Sequence, residues 1–286
     1  MVEKARSDAE AEIEISATHL AWIARMIDVI SGDLAGFGPF VHQSISAQSG
    51  PGVAARLALI LKDLEGLACD LRAQRQQHLE RLMRKLDIKE GDTGLKLHIG
   101  CGRHILDSWI NIDFHPAPLA MDVRWGLPFR DGCAAFVFLS HALEHFYYPQ
   151  EALPLARDIR RVLQPGGVLR VIVPDIEKCL RAYVEDDGEF FASRRKTWTW
   201  WPPRSTKLAD FLTYAGAGSC SGHASHKFGY DYETLRHLLI TAGFQRVERS
   251  EYMSSSHGAL LVDNSSLVAG ATYGKRYYSL FVEGTA

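Results

Sequence analysis

The stretch Leu97-His98-Ile99-Gly100-Cys101-Gly102 is an apolar strand that runs directly into a glycine turn. Glycine suits a point where the chain must turn sharply and let another group approach without a Cβ in the way. Outward from this turn, short apolar runs alternate with helical patterns, which predicts a βαβ sheet. Strands are expected over 95–99, 109–113, 134–140 and 168–173, the run Ala-Ala-Phe-Val-Phe-Leu-Ser at 134–140 being a fully buried central strand. An amphipathic helix over 153–163 is closed by Pro165-Gly166-Gly167, and a helix over 234–242 stops at Gly243. Two late strands follow, over 245–252 and 277–283, as a hairpin-like ending.

The first 90 residues read differently. Leu20, Ile23, Ile27 and Ile30 recur at helical spacing, and a Gly/Ser/Pro-rich break covers 31–52. Val53, Leu57, Ile60, Leu64, Leu67 and Leu71 then step by four and three, a heptad seam that drifts on to Leu79, Leu82 and Leu86. The expected organisation is a helical region 1–90, either a hairpin or a dimerising or partner-docking element, followed by an α/β domain over 91–286. Within that domain, 176–230 is an irregular stretch expected to fold as a cap.

Composition narrows the function classes. The chain has 286 residues, 47% hydrophobic and 23% charged, as in a globular protein with a sizeable core. A net charge of −2 argues against a nucleic-acid binder driven by bulk charge. The five cysteines include no Cys-x-x-Cys pair, no stretch resembles a signal peptide or spans a bilayer, and a cytoplasmic location is expected.

The glycine turn gains meaning from its sequel. Strand two ends in Asp113, eleven residues after Gly102. An acid at that tip is placed to accept hydrogen bonds from both ribose hydroxyls of a nucleoside. The third glycine of a dinucleotide fingerprint is missing, His104 and Ile105 standing there, which disfavours a pyrophosphate ligand and an NAD-dependent oxidoreductase.

Five segments occur in order: KLHIGCG with WINID (96–113), LPF with an acid at 131, SHALEHF (140–146), RRVLQPGGVLRVIVPD (160–175) and FGYDYETLRHLLITAGF (228–244). Together they resemble a class I S-adenosylmethionine (SAM)-dependent methyltransferase of the small type 11 group, over about two-thirds of the chain. The resemblance implies a Rossmann-like, seven-stranded, mostly parallel sheet with helices on both faces, its last strand antiparallel, and SAM as cofactor. It implies that Gly100, Cys101 and Gly102 wrap the methionine portion and Asp113 holds the ribose. Asp122 and Val123 would face the adenine, and Ser140 with His141 would line the sulfonium end. The acid common on strand one is His98 here, which weakens the expected contact with the SAM ammonium. The acid usual before the core of the 134–140 strand is Ala135.

In-line displacement at a sulfonium methyl asks mainly for positioning, but an alcohol acceptor also needs a base. His145 and His226 are the preferred candidates, with His141, Glu144 and Asp175 beside them. A helix starting at 143 would put His141 and His145 on one face. Trp198, Trp200, Trp201, His223, Tyr230 and Asp231 are candidate substrate contacts. Trp198 to Trp201 follow Arg194-Arg195-Lys196, a mix that can stack on sugar rings, hold an anionic substrate or merely pack the cap. Cys220, His223 and His226 have ligand-like spacing, yet no fourth ligand is evident and no metal is expected. The expected activity is O-methylation of a small-molecule or glycan hydroxyl. The alternatives are N- or C-methylation, or a non-catalytic SAM-fold protein that binds a partner.

Overall fold

The computed structural model describes residues 52–114, 116–197, 206–216 and 225–286. The helix expected over 20–30, the tryptophans Trp198, Trp200 and Trp201, and Cys220 and His223 lie outside them. In chain order the elements are α1 (Gly52–Lys85), β1 (Leu95–Ile99), β2 (Ile110–Asp113), β3 (Leu119–Ala120), β4 (Ala134–Ser140) and α2 (Ala152–Val162). β5 (Leu163–Pro174), α3 (Ile176–Val184), α4 (Gly188–Thr197), α5 (Lys207–Tyr214) and α6 (Tyr232–Ala242) follow. The chain ends with β6 (Arg246–Ser250), β7 (Thr272–Tyr273), β8 (Arg276–Tyr277) and β9 (Ser279–Thr285). Among the described residues, no helix is long and apolar enough to cross a membrane.

Two compact units divide the chain: Met1–Ile88 with Phe114–Asp122, and Lys89–Asp113 with Val123–Ala286. In the first, α1 is one uninterrupted helix of 34 residues, as the heptad spacing predicts. Its seam is exposed at Ile60 and Leu67 and buried at Leu79 and Leu82. His78 donates from Nε2 to the Ala120 carbonyl at 3.2 Å, leaving Nδ1 as the acceptor for Arg81.

Seven strands make one sheet, and the six belonging to the second unit run in the order β2-β1-β4-β5-β9-β6. β2, β1, β4 and β5 are parallel, while β9 is antiparallel to both β5 and β6. The expected seven-stranded, mostly parallel fold class is therefore the one observed. Val137, Phe138 and Leu139 of β4 and Val171, Ile172 and Val173 of β5 are all buried, which is why both read as near-continuous apolar runs. α2 and α6 pack on each other.

Three expectations need correcting. The Pro165-Gly166-Gly167 segment does not separate helix from strand, because β5 begins at Leu163 directly after α2. It forms a bulge: the β4–β5 register jumps from Ala134↔Leu163 to Phe136↔Val168. A Cβ on residue 167 would stand 2.9 Å from the Gln164 carbonyl oxygen and 3.1 Å from that of Ala135, so only glycine fits. Second, the described residues after Asp175, expected to be irregular, carry α3, α4 and α5. Third, the chain does not end in a simple hairpin. Two 3-10 turns (Gly258–Leu260, Asp263–Ser265) and the β7–β8 ribbon lie between β6 and β9, and β9 inserts between β5 and β6.

Arg170 of β5 is fully buried and carries the packing of this late segment. Its guanidinium grips Asp263 in two bonds of 2.7 and 2.6 Å, and reaches Glu283 at 2.7 Å and Ser250 Oγ at 3.0 Å. The Glu251 and Ser254 carbonyls complete its shell at 2.8 and 3.1 Å. Removing one partner of such a pair strands the other charge. Arg170→Ala is expected to lower stability by about 3–5 kcal/mol, read from urea denaturation.

His98 of β1 pairs with Asn111 of β2, Nδ1 to Oδ1 at 3.0 Å. The Asn111 amide nitrogen donates to the Leu106 and Trp109 carbonyls, so its oxygen must be the acceptor and His98 carries its proton on Nδ1. The same oxygen accepts from Leu106 N, which pins the loop after the glycine turn. Burial drives the His98 pKa down to about 4, outweighing the support from Asn111. The folded chain refuses a proton that the unfolded chain takes up. Its stability contribution is whole above pH 6.5 and drains away as pH falls toward 4, a loss of ~3 kcal/mol. The stability difference between wild type and His98→Gln is predicted to shrink across that window, and a pH-independent difference would contradict this.

Candidate active site

The glycine turn is bolted to the end of β2. Gly100 and Cys101 both donate to the Ile112 carbonyl, at 2.9 and 3.2 Å, and Gly102 N donates to Asp113 Oδ2 at 2.7 Å. Gly100 has φ +72° and Gly102 φ +52°, in the region that glycine adopts freely. Gly100 is also pressed from outside, since a Cβ there would lie 2.4 Å from the Cβ of Ala142. A Cβ on Gly102 would meet nothing within 4 Å, which leaves room beside the Asp113 carboxylate. Cys101 is buried and its thiol is pushed up to about 12 by that burial, so it is no nucleophile. Ser140, the last residue of β4, holds a buried hydroxyl with no hydrogen-bond partner among the described residues.

The segment after β4 builds the second half. His141 leaves the strand with φ +52°, a conformation strained for a residue with a side chain. Its Nε2 meets Ser279 Oγ at 3.0 Å and its Nδ1 stands 3.3 Å from Glu144 Oε1. Only a 3-10 turn, Leu143–His145, follows, so His141 and His145 do not share a helix face. Glu144 is 1% exposed. Its carbonyl accepts from Lys227 N at 2.7 Å and Phe228 N at 3.2 Å, which draws the segment before α6 against it. His145 donates from Nδ1 to the Ser225 carbonyl, and His226 from Nδ1 to the Tyr214 carbonyl, both at 3.1 Å. A carbonyl can only accept, so the neutral rings keep their Nε2 lone pairs. The two rings meet edge to face with centroids 5.1 Å apart.

Electrostatics centre on Glu144. Burial alone would raise its pKa, but His141, His145 and His226 outweigh that and hold it at about 2. Burial conversely lowers the pKa of His226. Tyr230 is fully buried beside this group, its hydroxyl unpartnered among the described residues and its pKa raised first by burial and then by Glu144. Tyr148 stacks on Phe228 at 4.5 Å and meets Tyr230 edge-on.

The fold thus brings Gly100, Cys101, Gly102, Asp113, Ser140, His141, His145, His226 and Tyr230 into one unit. Asp175 and Asp231 are N-caps, accepting from Lys178 N and Thr234 N, and Asp175 also pairs with Lys178 Nζ at 3.1 Å. His98 is held in the sheet by Asn111 and by Phe138, 5.1 Å away. Val123 is buried at the start of a 3-10 turn, and Asp122 is buried in the first unit. Ser279 escaped the reading of the sequence because 138 residues separate it from His141.

The glycine turn, the acid at the β2 tip and the unpartnered Ser140 hydroxyl fit an adenosyl amino acid, which needs a close backbone, a ribose acceptor and a polar contact at the strand end. Residues 97–171 match the model of the methyltransferase domain family. No curated protein matches the chain. Among solved structures, a SAM-dependent methyltransferase from Thermotoga maritima, described as a possible histamine N-methyltransferase, is similar at 15% identity and a TM-score of 0.36. It covers 73% of this chain and 88% of its own. A SAM-dependent methyltransferase from Archaeoglobus fulgidus is similar at 16% identity and a TM-score of 0.37, covering 74% of this chain and 94% of its own. The domain match spans β1 through most of β5, the strands that carry the glycine turn, Asp113, Ser140 and the Glu144 segment, and over that stretch the chain is similar to methyltransferase domains.

Proposed function

We propose that the enzyme transfers the SAM methyl group to a hydroxyl oxygen of a small molecule or glycan, the hydroxyl losing its proton in the pocket of Glu144, His145 and His226. The observation that carries this reading is the gathering of two imidazoles around a buried carboxylate, two residues beyond the contact of Ala142 with the glycine turn. A hydroxyl needs such help because its proton must leave as the O–C bond forms. A neutral amine does not, so an N-methyltransferase has less use for this pocket. Asp113 holds the ribose and the Gly100–Gly102 turn wraps the amino-acid end. Tyr230 and the Tyr148–Phe228 pair form the acceptor wall, and the reaction runs in the cytoplasm.

Two variants separate the halves of the site. Asp113→Ala is expected to weaken S-adenosylhomocysteine binding about 10–100-fold in calorimetry, the worth of charge-assisted hydrogen bonds. His226→Ala should leave that affinity within about threefold but lower methyl transfer to a hydroxyl acceptor about 100-fold or more, measured with methyl-labelled SAM. Equal transfer by His226→Ala and wild type would overturn the assignment of the pocket, and selective methylation of amines in an acceptor panel would overturn the choice of oxygen.

A further inference from the structure

Glu144 is a buried carboxylate whose own shell is incomplete. Both carboxylate oxygens are buried, and neither has a hydrogen-bond partner among the described residues. The 3.3 Å approach of His141 Nδ1 to Oε1 is an ion-pair contact without hydrogen-bond alignment. A buried carboxylate left in that state costs several kcal/mol unless something completes it. Its neighbours are suited to do so with a metal. One ligand atom from each of Glu144, His145 and His226 lies within 4.8 Å of the others.

The surroundings of the two imidazoles point the same way. Metal-bound histidines almost always donate their second ring N–H to a carbonyl or carboxylate, which fixes the tautomer and aims the lone pair at the ion. His145 and His226 each do this through Nδ1, to Ser225 and Tyr214. The carboxylate and the two rings come from two segments clamped together by the Glu144 carbonyl and the Lys227 and Phe228 amides. Two imidazoles with one carboxylate are a borderline ligand set, suited to zinc-like first-row divalent ions rather than magnesium or calcium, and they leave a coordination position open.

We infer that Glu144, His145 and His226 form a binding site for one zinc-like divalent cation. Its use rests on the proposed O-methylation, although its existence does not. With the ion bound, both imidazole lone pairs are committed to it, and the open position takes the acceptor hydroxyl and lowers its pKa. The proton goes to solvent, the oxygen forms a bond to the methyl carbon, the carbon–sulfur bond breaks and S-adenosylhomocysteine leaves.

The test uses the full chain after chelator treatment and dialysis. Cobalt(II) is titrated in and followed by its visible d–d absorption, then displaced with zinc. One equivalent is expected to bind, with affinity lowered at least about 10–100-fold in Glu144→Gln and in His226→Ala. Thermal melts check that the variants fold, and Glu144→Asp, which keeps the ligand chemistry, should retain binding better than Glu144→Gln. No saturable cobalt spectrum, or binding unchanged in both ligand variants, would overturn the site. Hydroxyl methylation at full rate in metal-free enzyme without cobalt uptake would remove the cation and leave the proposed activity standing. Stoichiometric cobalt uptake with no hydroxyl methylated would do the reverse.

Discussion

Between residue 100 and residue 142 there is space for one methyl group, and Ala142 takes it. This close approach is the constraint on which the site depends. β1 and β4 are neighbours in register up to Ile99 and Leu139, and both chains turn out of the sheet just beyond. A side chain at position 100 would splay those ends apart and would also be forced into φ +72°. In the proposed reaction the nucleoside half of the site hangs from the Gly100–Gly102 turn, and the acceptor half begins two residues past Ala142. The two proposed halves are thus set against each other by the close approach of Gly100 and Ala142 rather than by flexible side chains.

Two buried charges in this domain meet opposite fates, and the contrast assigns their roles. Arg170 is surrounded by acceptors: Asp263, Glu283, Ser250 and two carbonyls take up its donors. Such a group has nothing left to offer and serves to hold the 250–263 segment on the sheet. Glu144 is equally buried, yet its oxygens go without hydrogen bonds while three histidines face it. His141 adds backbone strain on the same stretch. Burial costs and strain that the local structure leaves uncompensated are characteristic of places where a ligand completes the shell.

Much of the sheet was legible in the chain because burial on both faces leaves a local trace. β4 and β5 are apolar nearly throughout, and the strand–glycine–acid order at 97–113 follows from what a nucleoside needs. What escaped is what local pattern cannot encode. Arg170 with Asp263 and His141 with Ser279 are pairings across 93 and 138 residues. The helices α3 to α5 were obscured by the Trp/Pro and Gly/Ser runs between them, whose composition dominates a short window. Asp175 and Asp231 stand just ahead of helical segments, a local N-cap signal that the sequence does carry. His145 and His226 stood out as histidines, but only the fold reveals that Glu144 lies between them.

Whether the turn at Gly100 and the Glu144 cluster are two halves of one methyl-transfer site is tested most directly by a crystal structure of the protein with S-adenosylhomocysteine bound. The ribose hydroxyls are expected on Asp113 and the sulfur facing the cluster, with His145 or His226 within about 5 Å of the space beside it, allowing one bridging water. A homocysteine sulfur directed away from Glu144, or a ribose bound elsewhere than at Asp113, would contradict it.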